Sequence, residues 1–325
     1  MLPTVAVLRG GPDAEHDVSL QTGASVLNAL AADTCMACKA VDIFIDRNGV
    51  WHVRGVAKDP AHALAGVDVV WNALHGRYGE GGEVQKVLER LAVPFTGSGS
   101  LASRLSMNKH VAKEMLKQRG VLVPNGVTVV PSPLLDQEIL SAFKKFAPPV
   151  VVKPADSGSS FGVSLAKTAE QVARAVREAF RFSSRVIIEE YVQGREATVG
   201  VIDHFRDSAT YALPPVEITL KERGRLFDYG AKYKGECTER CPGNFSEQER
   251  NALSALAVQV HTDLGLRDYS RSDFIVSRRG VYFLEANTVP GLTEASLFPL
   301  SLGAVSVSLP SFVTHVLSRA LTRRD

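Results

Sequence analysis

Short apolar runs that alternate with stretches of helical period constrain this chain more than anything else in its sequence. VAVL at 5 to 8 is followed by apolar residues at helical spacing from 18 to 30, and VDVVWNAL at 67 to 74 by Val84, Val87, Leu88 and Leu91. That strand-then-helix order predicts an α/β fold with a mostly parallel sheet. The Gly- and Ser-rich stretch TGSGSLAS at 96 to 103 interrupts the pattern and marks a boundary, giving a first α/β domain over 1 to 102. A second lobe, 103 to 190, holds a helical segment at 108 to 119, a strand VVVK at 150 to 153 and a helix with Val172, Ala175, Val176 and Ala179 on one face. The rest, 191 to 325, mixes strands at 197 to 202, 273 to 276 and 281 to 285 with a helix marked by Leu253, Leu256, Ala257, Val260 and Leu264. Three lobes suit the length, because single cores stop growing at roughly 250 to 300 residues. Clefts between lobes are the usual place for ligands.

Composition removes several classes of function. The 325 residues are 45% hydrophobic and 22% charged, which is ordinary for a globular protein. The formal net charge is +2 and no run of five like charges occurs, so no nucleic-acid partner is expected. No segment approaches the roughly 18 uninterrupted apolar residues of a membrane span, and MLPTVAVLRGG has no secretory pattern. A cytoplasmic protein without a membrane partner is expected. The four cysteines form Cys35-x-x-Cys38 and Cys237-x-x-x-Cys241. Four thiolates could complete a structural zinc site, but the pairs lie about 200 residues apart with no His at ligand spacing, so reduced structural thiols are the simpler expectation.

RSDFIVSRRGVYFLEAN at 271 to 287 reads as a hairpin. Three-residue loops commonly end in a left-handed Gly. Taking Arg278, Arg279 and Gly280 as that loop sets Ser277 opposite Val281, Asp273 opposite Glu285 and Arg271 opposite Asn287, all on one face, with Phe274, Val276, Tyr282 and Leu284 on the other. A two-residue turn would instead put the two acids on opposite faces. Facing carboxylates repel, and a hard divalent cation relieves the conflict; carboxylate and amide oxygens are the ligands magnesium takes, with phosphate and water completing its shell. The surface alternative is two solvated acids.

VVKPADSGSSFG at 151 to 162 delivers one lysine at a strand end, followed by small residues whose amides are free to turn toward oxygens. A phosphate chain fits both features. It is not the G-x-x-x-x-G-K-S/T loop, since the lysine precedes the glycines. By itself such a loop is more often only a turn; with a magnesium pair in the same chain it becomes a nucleotide site.

Lys153 with its GSS loop, the IEEY strand end and the R-x-D…E-x-N hairpin together resemble the ATP-grasp superfamily, and within it the D-alanine:D-alanine ligase family. The resemblance covers nearly the whole chain through GGPDAEHDVSL (10 to 20), ALHGRYGEGG (73 to 82), PFTGSG (94 to 99), SMNK (106 to 109), KPADSGSSFG, FDYGAKY (227 to 233) and LEANTVPGLT (284 to 293). It implies an ATP-grasp architecture: an N-terminal parallel-sheet lobe and two lobes gripping the nucleotide. It implies ATP and magnesium, with manganese as the alternative ion, two molecules of D-alanine and a homodimer. Lys109, Lys153, Ser159 and Ser160 match the phosphate binders. Glu189, Tyr191 and Val192 match the strand end that holds adenine, Glu196 the ribose binder, and Asp273, Glu285 and Asn287 the metal ligands.

For the amino-acid substrates, the resemblance implies that Glu15 orders the first D-alanine through Ser159 and Tyr233, with His75 beside it. Arg271 and the Gly291 amide match the oxyanion stabilisers, and Ser296 with Lys232 the group that holds the second carboxylate. The implied reaction is attack of one D-alanine carboxylate on the γ-phosphate, then attack of the second amine on the acyl phosphate, under a loop at 232 to 241 that excludes water. Asp13, Gly230 and the segment KGECTERCPG depart from the family's usual pattern. Tyr233 matches members whose second substrate is an amine rather than D-lactate. The runner-up is another carboxylate-amine ligase of the superfamily, taking D-serine or an L-amino acid. A non-catalytic nucleotide-binding regulator would have lost one of Arg271, Asp273, Glu285 or Asn287, and a dinucleotide oxidoreductase would carry G-x-G-x-x-G after its first strand; neither holds.

Overall fold

The computed structural model describes residues 2–32, 34–158, 162–220 and 237–323. Its first sheet runs β4-β3-β2-β1-β5, with β1 Thr4–Gly10, β2 Lys39–Ile45, β3 Trp51–Val53, β4 Val56–Lys58 and β5 Val69–Asn72. β1 is central and pairs in parallel with β2 and β5. Alternate residues of β1 enter different cores. Val5 and Val7 pack beside helix α1 (His16–Leu30), whereas Ala6 and Leu8 join Val84 and Leu88. The short helices α2 (Pro60–Ala63) and α3 (Gly76–Glu80) precede α4 (Glu83–Arg90), which carries the latter pair. Because β1 and β5 are parallel neighbours, the loops that follow them leave the same sheet end. Glu15 and His75 are thereby placed side by side at the ends of strands.

After α5 (Ser100–Met107) and α6 (Lys109–Gln118) comes an antiparallel sheet of order β6-β9-β7-β8. Its strands are β6 Gly126–Val129, β7 Val150–Pro154, β8 Ser164–Ala166 and β9 Val186–Glu190. Val150, Val152, Val186 and Ile188 face the core built with α7 (Leu135–Lys145) and α8 (Ala169–Ala179). Period-2 alternation therefore sends Val151, Lys153, Ile187 and Glu189 to the other face. Val151 pairs with Glu189 and Lys153 with Ile187, so Lys153 and Glu189 are diagonal neighbours.

The third sheet runs β13-β12-β10-β14-β15, with β11 on β10: β10 Arg195–Phe205, β11 Ser208–Ala212, β12 Val216–Leu220, β13 Cys237–Arg240, β14 Tyr269–Ser277 and β15 Gly280–Asn287. Helix α9 (Glu247–Asp263) packs Leu253, Ala257 and Val260 on it, joined by Ala112 and Leu116 of α6. A capping box starts α9: Ser246 accepts from the Glu249 amide, and the Glu249 side chain accepts from the Ser246 amide. The chain then returns through α10 (Leu297–Ala304) and α11 (Leu309–Thr322) to the first sheet. Phe298 and Phe312 share one cluster with Val5, Trp71 and Tyr269, so the first and third sheets have a core in common.

The hairpin differs from its sequence reading at the turn. Ser277 pairs with Gly280, not Val281, so the loop is the two residues Arg278 and Arg279. That register alone would separate the acids. A bulge between Asp273 and Phe274 restores the pairing: Phe274 faces Phe283, Asp273 faces Glu285, and Leu284 is the extra residue. The core face is corrected as well. Phe274 and Val276 pack with Val281 and Phe283, while Tyr282 and Leu284 lie with Ile275 and Val192 on the other side.

Cys35 and Cys38 border the first core, and Cys237 and Cys241 border a small cluster around Val216, Ile218 and Leu297; all four are free thiols. Among the described residues no single helix is long and apolar enough to cross a membrane.

Candidate active site

A cavity of about 250 Å³ opens where the lobes meet. Glu15, His75, Lys109, Arg271, Glu285, Asn287, Gly291 and Ser296 all line it. Residues from the two ends of the chain thus converge on one space.

Glu15 precedes α1 and is 9% exposed. It lies so close to Gly158 that a Cβ there would sit 2.7 Å from Glu15 Oε2, so a side chain at this point would push the Glu15 carboxylate aside. His75 precedes α3, is 4% exposed, and has Nε2 2.9 Å from Thr22 Oγ1 and Nδ1 3.3 Å from Glu80 Oε1. Asp13 accepts the Tyr78 amide at 2.7 Å and so ties the Glu15 loop to the His75 loop. Burial pushes the Asp13 carboxyl up, and the Tyr78 amide only partly offsets it.

On the opposite wall, Arg271 forks onto Asp273 with Nε 3.0 Å from Oδ1 and Nη2 3.1 Å from Oδ2. Burial disfavours the Arg271 charge, but Asp273 outweighs it and raises the guanidinium further. Thr198 donates to Asp273 Oδ1 at 2.6 Å. Glu285, opposite Asp273, has Oε2 3.0 Å from Lys109 Nζ, and that amine also donates to the Ser157 carbonyl at 2.6 Å. Asn287 pairs with Arg271, and its Oδ1 accepts the Val289 amide at 3.0 Å. Ser296 opens α10 without capping it; its hydroxyl instead lies 2.8 Å from Thr293 Oγ1, and a Cβ on Gly291 would sit 2.9 Å from it.

Among the described residues no group of three or more His, Cys, Asp and Glu could hold a metal ion. Two facing carboxylates and an amide oxygen nevertheless suit a hard cation that keeps positions for phosphate and water, so the residues fit magnesium.

Behind this cavity lies a buried charge cluster. Glu189, 3% exposed, has Oε1 2.6 Å from Lys153 Nζ and Oε2 2.5 Å from Lys113 Nζ. Burial alone would raise the Glu189 carboxyl, but the two ammonium groups outweigh it and hold it below the usual range. Tyr191 borders a second cavity, about 530 Å³, with Lys113 and Glu189. Val192 joins Ile275, Tyr282 and Leu284 in an apolar patch. Glu196 stands on β10 between Ile218 and Ile275. Ser159, Ser160, Lys232 and Tyr233 lie outside the described residues.

Sequence reasoning passed over Glu80, Glu239 and Gln21, which also line the first cavity, and Lys113 and Thr198, which hold site carboxylates. Glu80 stood inside the quoted ALHGRYGEGG, and Lys113 follows Lys109 by one helical turn; those were the available signals.

Three sheets in this arrangement make an ATP-grasp fold, and the solved structures agree. A D-alanine-D-alanine ligase of Coxiella burnetii superposes with a TM-score of 0.80 at 25% identity, covering 98% of this chain and 94% of that one. A D-Ala:D-Ser ligase of Enterococcus faecalis gives 0.83 at 24% identity, covering 98% and 100%, a likeness of fold. The family profile "D-ala D-ala ligase C-terminus" matches residues 115–318. The D-alanine–D-alanine ligase of Syntrophotalea carbinolica is 37% identical over 98% of this chain and 97% of its own length, and that of Geobacter sulfurreducens 36% over 97% and 93%. The chain belongs to the D-alanine–D-alanine ligase family.

Proposed function

We propose that the protein joins two D-alanine molecules into D-alanyl-D-alanine at the expense of ATP, releasing ADP and phosphate, and so supplies a peptidoglycan precursor. The observation that carries this reading is the convergence of Glu15, Arg271 and Glu285 on one cavity, with Asp273 opposite Glu285 on the paired strand.

Lys109 and Lys153 bind the phosphates, with Ser159 and Ser160 expected beside them; adenine lies on the patch of Val192, Ile275, Tyr282 and Leu284 beside Glu189 and Tyr191, and Glu196 takes the ribose. Asp273, Glu285 and Asn287 would hold magnesium, which offsets the negative charge of the phosphate oxygens. Glu15, through Ser159 and Tyr233, and His75 orient the first D-alanine so that its carboxylate oxygen attacks the γ-phosphorus and ADP leaves. The amine of the second D-alanine, whose carboxylate Ser296 and Lys232 hold, then attacks the acyl carbon. The second substrate's nitrogen attacks as a neutral amine, and the tetrahedral oxyanion lies against Arg271 and the Gly291 amide; it collapses with loss of phosphate, and the nitrogen gives one proton to the departing phosphate and keeps one as the amide N–H. No enzyme atom forms a covalent bond, so positioning and charge neutralisation carry the rate. A homodimer working in the cytoplasm is the expected form.

ADP release with D-alanine, ATP and magnesium is the test, repeated for Glu285→Gln. Wild type should turn over and the variant should lose nearly all activity. Turnover only with L-amino acids, or full speed without a divalent ion, would reject the reading. Sedimentation showing only a single-chain species at micromolar concentration would reject the dimer.

A further inference from the structure

Three charged side chains meet in the interior with little solvent: Lys113 and Lys153 on either oxygen of Glu189. All three are at most 6% exposed, so the cluster carries one positive charge more than it neutralises. Under the function proposed above, on which this inference rests, two of them have other duties. Lys153 must reach a phosphate, and Glu189 must present an ionised oxygen to the exocyclic amine of adenine. If Lys153 were the sole partner of Glu189, these duties would conflict, because its departure would leave a lone buried carboxylate, which is costly unless paired or protonated. A protonated Glu189 has an O–H to donate and no longer selects an amine.

Lys113 removes the conflict. It sits one turn after Lys109 on α6, whose apolar residues Ala112 and Leu116 anchor the helix to the third sheet's core, so its amine is fixed from a different element than Lys153. We propose that Lys113 is a positioning residue of the nucleotide site: the counter-charge that keeps Glu189 ionised and in place while Lys153 leaves it for a phosphate. Oε2 stays with Lys113, and Oε1, held by Lys153 in the nucleotide-free arrangement, passes to the adenine amine. Lys113 itself touches neither phosphate nor amino acid.

The test compares Lys113→Met, Lys113→Gln and Lys113→Arg, assaying ADP release (or IDP) with ATP and with inosine triphosphate, in which a carbonyl replaces the amine. Without the counter-charge, Lys153 is retained by Glu189 or Glu189 takes a proton. The Met and Gln variants should therefore raise KM for the nucleotide about tenfold with kcat within about threefold, and the ATP over inosine triphosphate preference in kcat/KM should fall about tenfold. Lys113→Arg, which keeps the charge, should restore the preference. If Met unfolds the chain, Gln, which keeps length and a donor, decides. Wild-type KM and preference in the Gln variant, with only a lowered melting temperature, would overturn the proposal and leave Lys113 a structural residue. Glu189→Gln separates the two layers: if it too leaves the preference unchanged, the adenine reading of Glu189 fails; if it alone shifts the preference, only the role of Lys113 fails.

Discussion

Arg271 is the residue whose chemistry is most exposed to test. Its fork onto Asp273 fixes the guanidinium at the cavity wall, so Arg271→Met should remove oxyanion stabilisation worth roughly 3 to 4 kcal/mol, about 10² to 10³ in kcat. Equilibrium binding of ATP, followed by a fluorescent analogue, should change much less. Lys113 gives a pH dependence of definite sign. Burial pushes its amine down to about 7, and Lys153 adds to that effect while Glu189 opposes it. Around the second cavity, which Lys113 borders, stand His110, Glu114 and Lys117 from its own helix, Lys145 from the end of α7 and Glu190 from β9. When Lys153 goes to a phosphate, one cause of the lowering is removed, so the nucleotide complex holds the Lys113 proton more tightly than the free protein. Nucleotide affinity should then weaken as pH rises above about 7, by up to about tenfold per unit, until the pKa of the complex is passed. Lys113→Arg stays charged, so the ratio of wild-type to variant Kd between pH 6 and 9 isolates this group. A flat ratio would contradict the assignment.

At the scale of elements, the β14–β15 hairpin shows how a site depends on one extra residue. The two-residue turn sets a register in which Asp273 and Glu285 would point apart, and the bulge at Leu284 brings them back together. β15 is an edge strand, so the bulge is accommodated without disturbing a further neighbour in the sheet. Deleting Leu284 should abolish ADP release while preserving far-UV circular dichroism, whereas Leu284→Ala, which keeps the bulge, should retain turnover with a raised KM for ATP. Helix α9 depends on its start: Ser246→Ala removes half of the capping box and should cost about 1 kcal/mol in denaturant unfolding, with little effect on kcat. The facing acids were legible in sequence from spacing, but the turn was not. Gly280, at φ +129, begins the second strand rather than closing a three-residue loop, and a loop and a bulge trade one residue without changing any residue type.

For the whole molecule, the return of α11 to the first sheet fixes where the two halves of the site stand. Phe312 touches Trp71, Tyr269 and Phe298, with ring centroids 5.2 to 6.2 Å apart, and so packs β5, β14 and α10 together. Asp268 adds polar links, accepting the Gly97 amide at 2.8 Å and pairing with Arg323. Phe312→Ala should destabilise the fold by about 3 to 5 kcal/mol. Because it loosens the lobe bearing Glu15 and His75 against the one bearing Arg271, it should raise KM for D-alanine more than KM for ATP. Equal changes in both constants would argue that this core does not set the amino-acid subsite.

The sequence by itself determined the elements and the donors. Apolar periodicity is local, so β1, α1, β5 and α9 could be read from spacing, and the chemical types of Lys153, Asp273 and Glu285 pointed to a phosphate and a cation, while the oxyanion role of Arg271 came only from the family resemblance. What only the tertiary structure decided was pairing across distance: the bulge that rescues the hairpin register, the placing of Tyr282 and Leu284 beside Val192, and the two-lysine grip on Glu189. These depend on which surfaces meet once α6, the second sheet and α11 have packed. A residue's own neighbours in the chain carry its propensity and periodicity, but a buried charge takes its partner, and hence its role, from segments 40 to 80 residues away, as Lys113 does from Glu189 and Lys153.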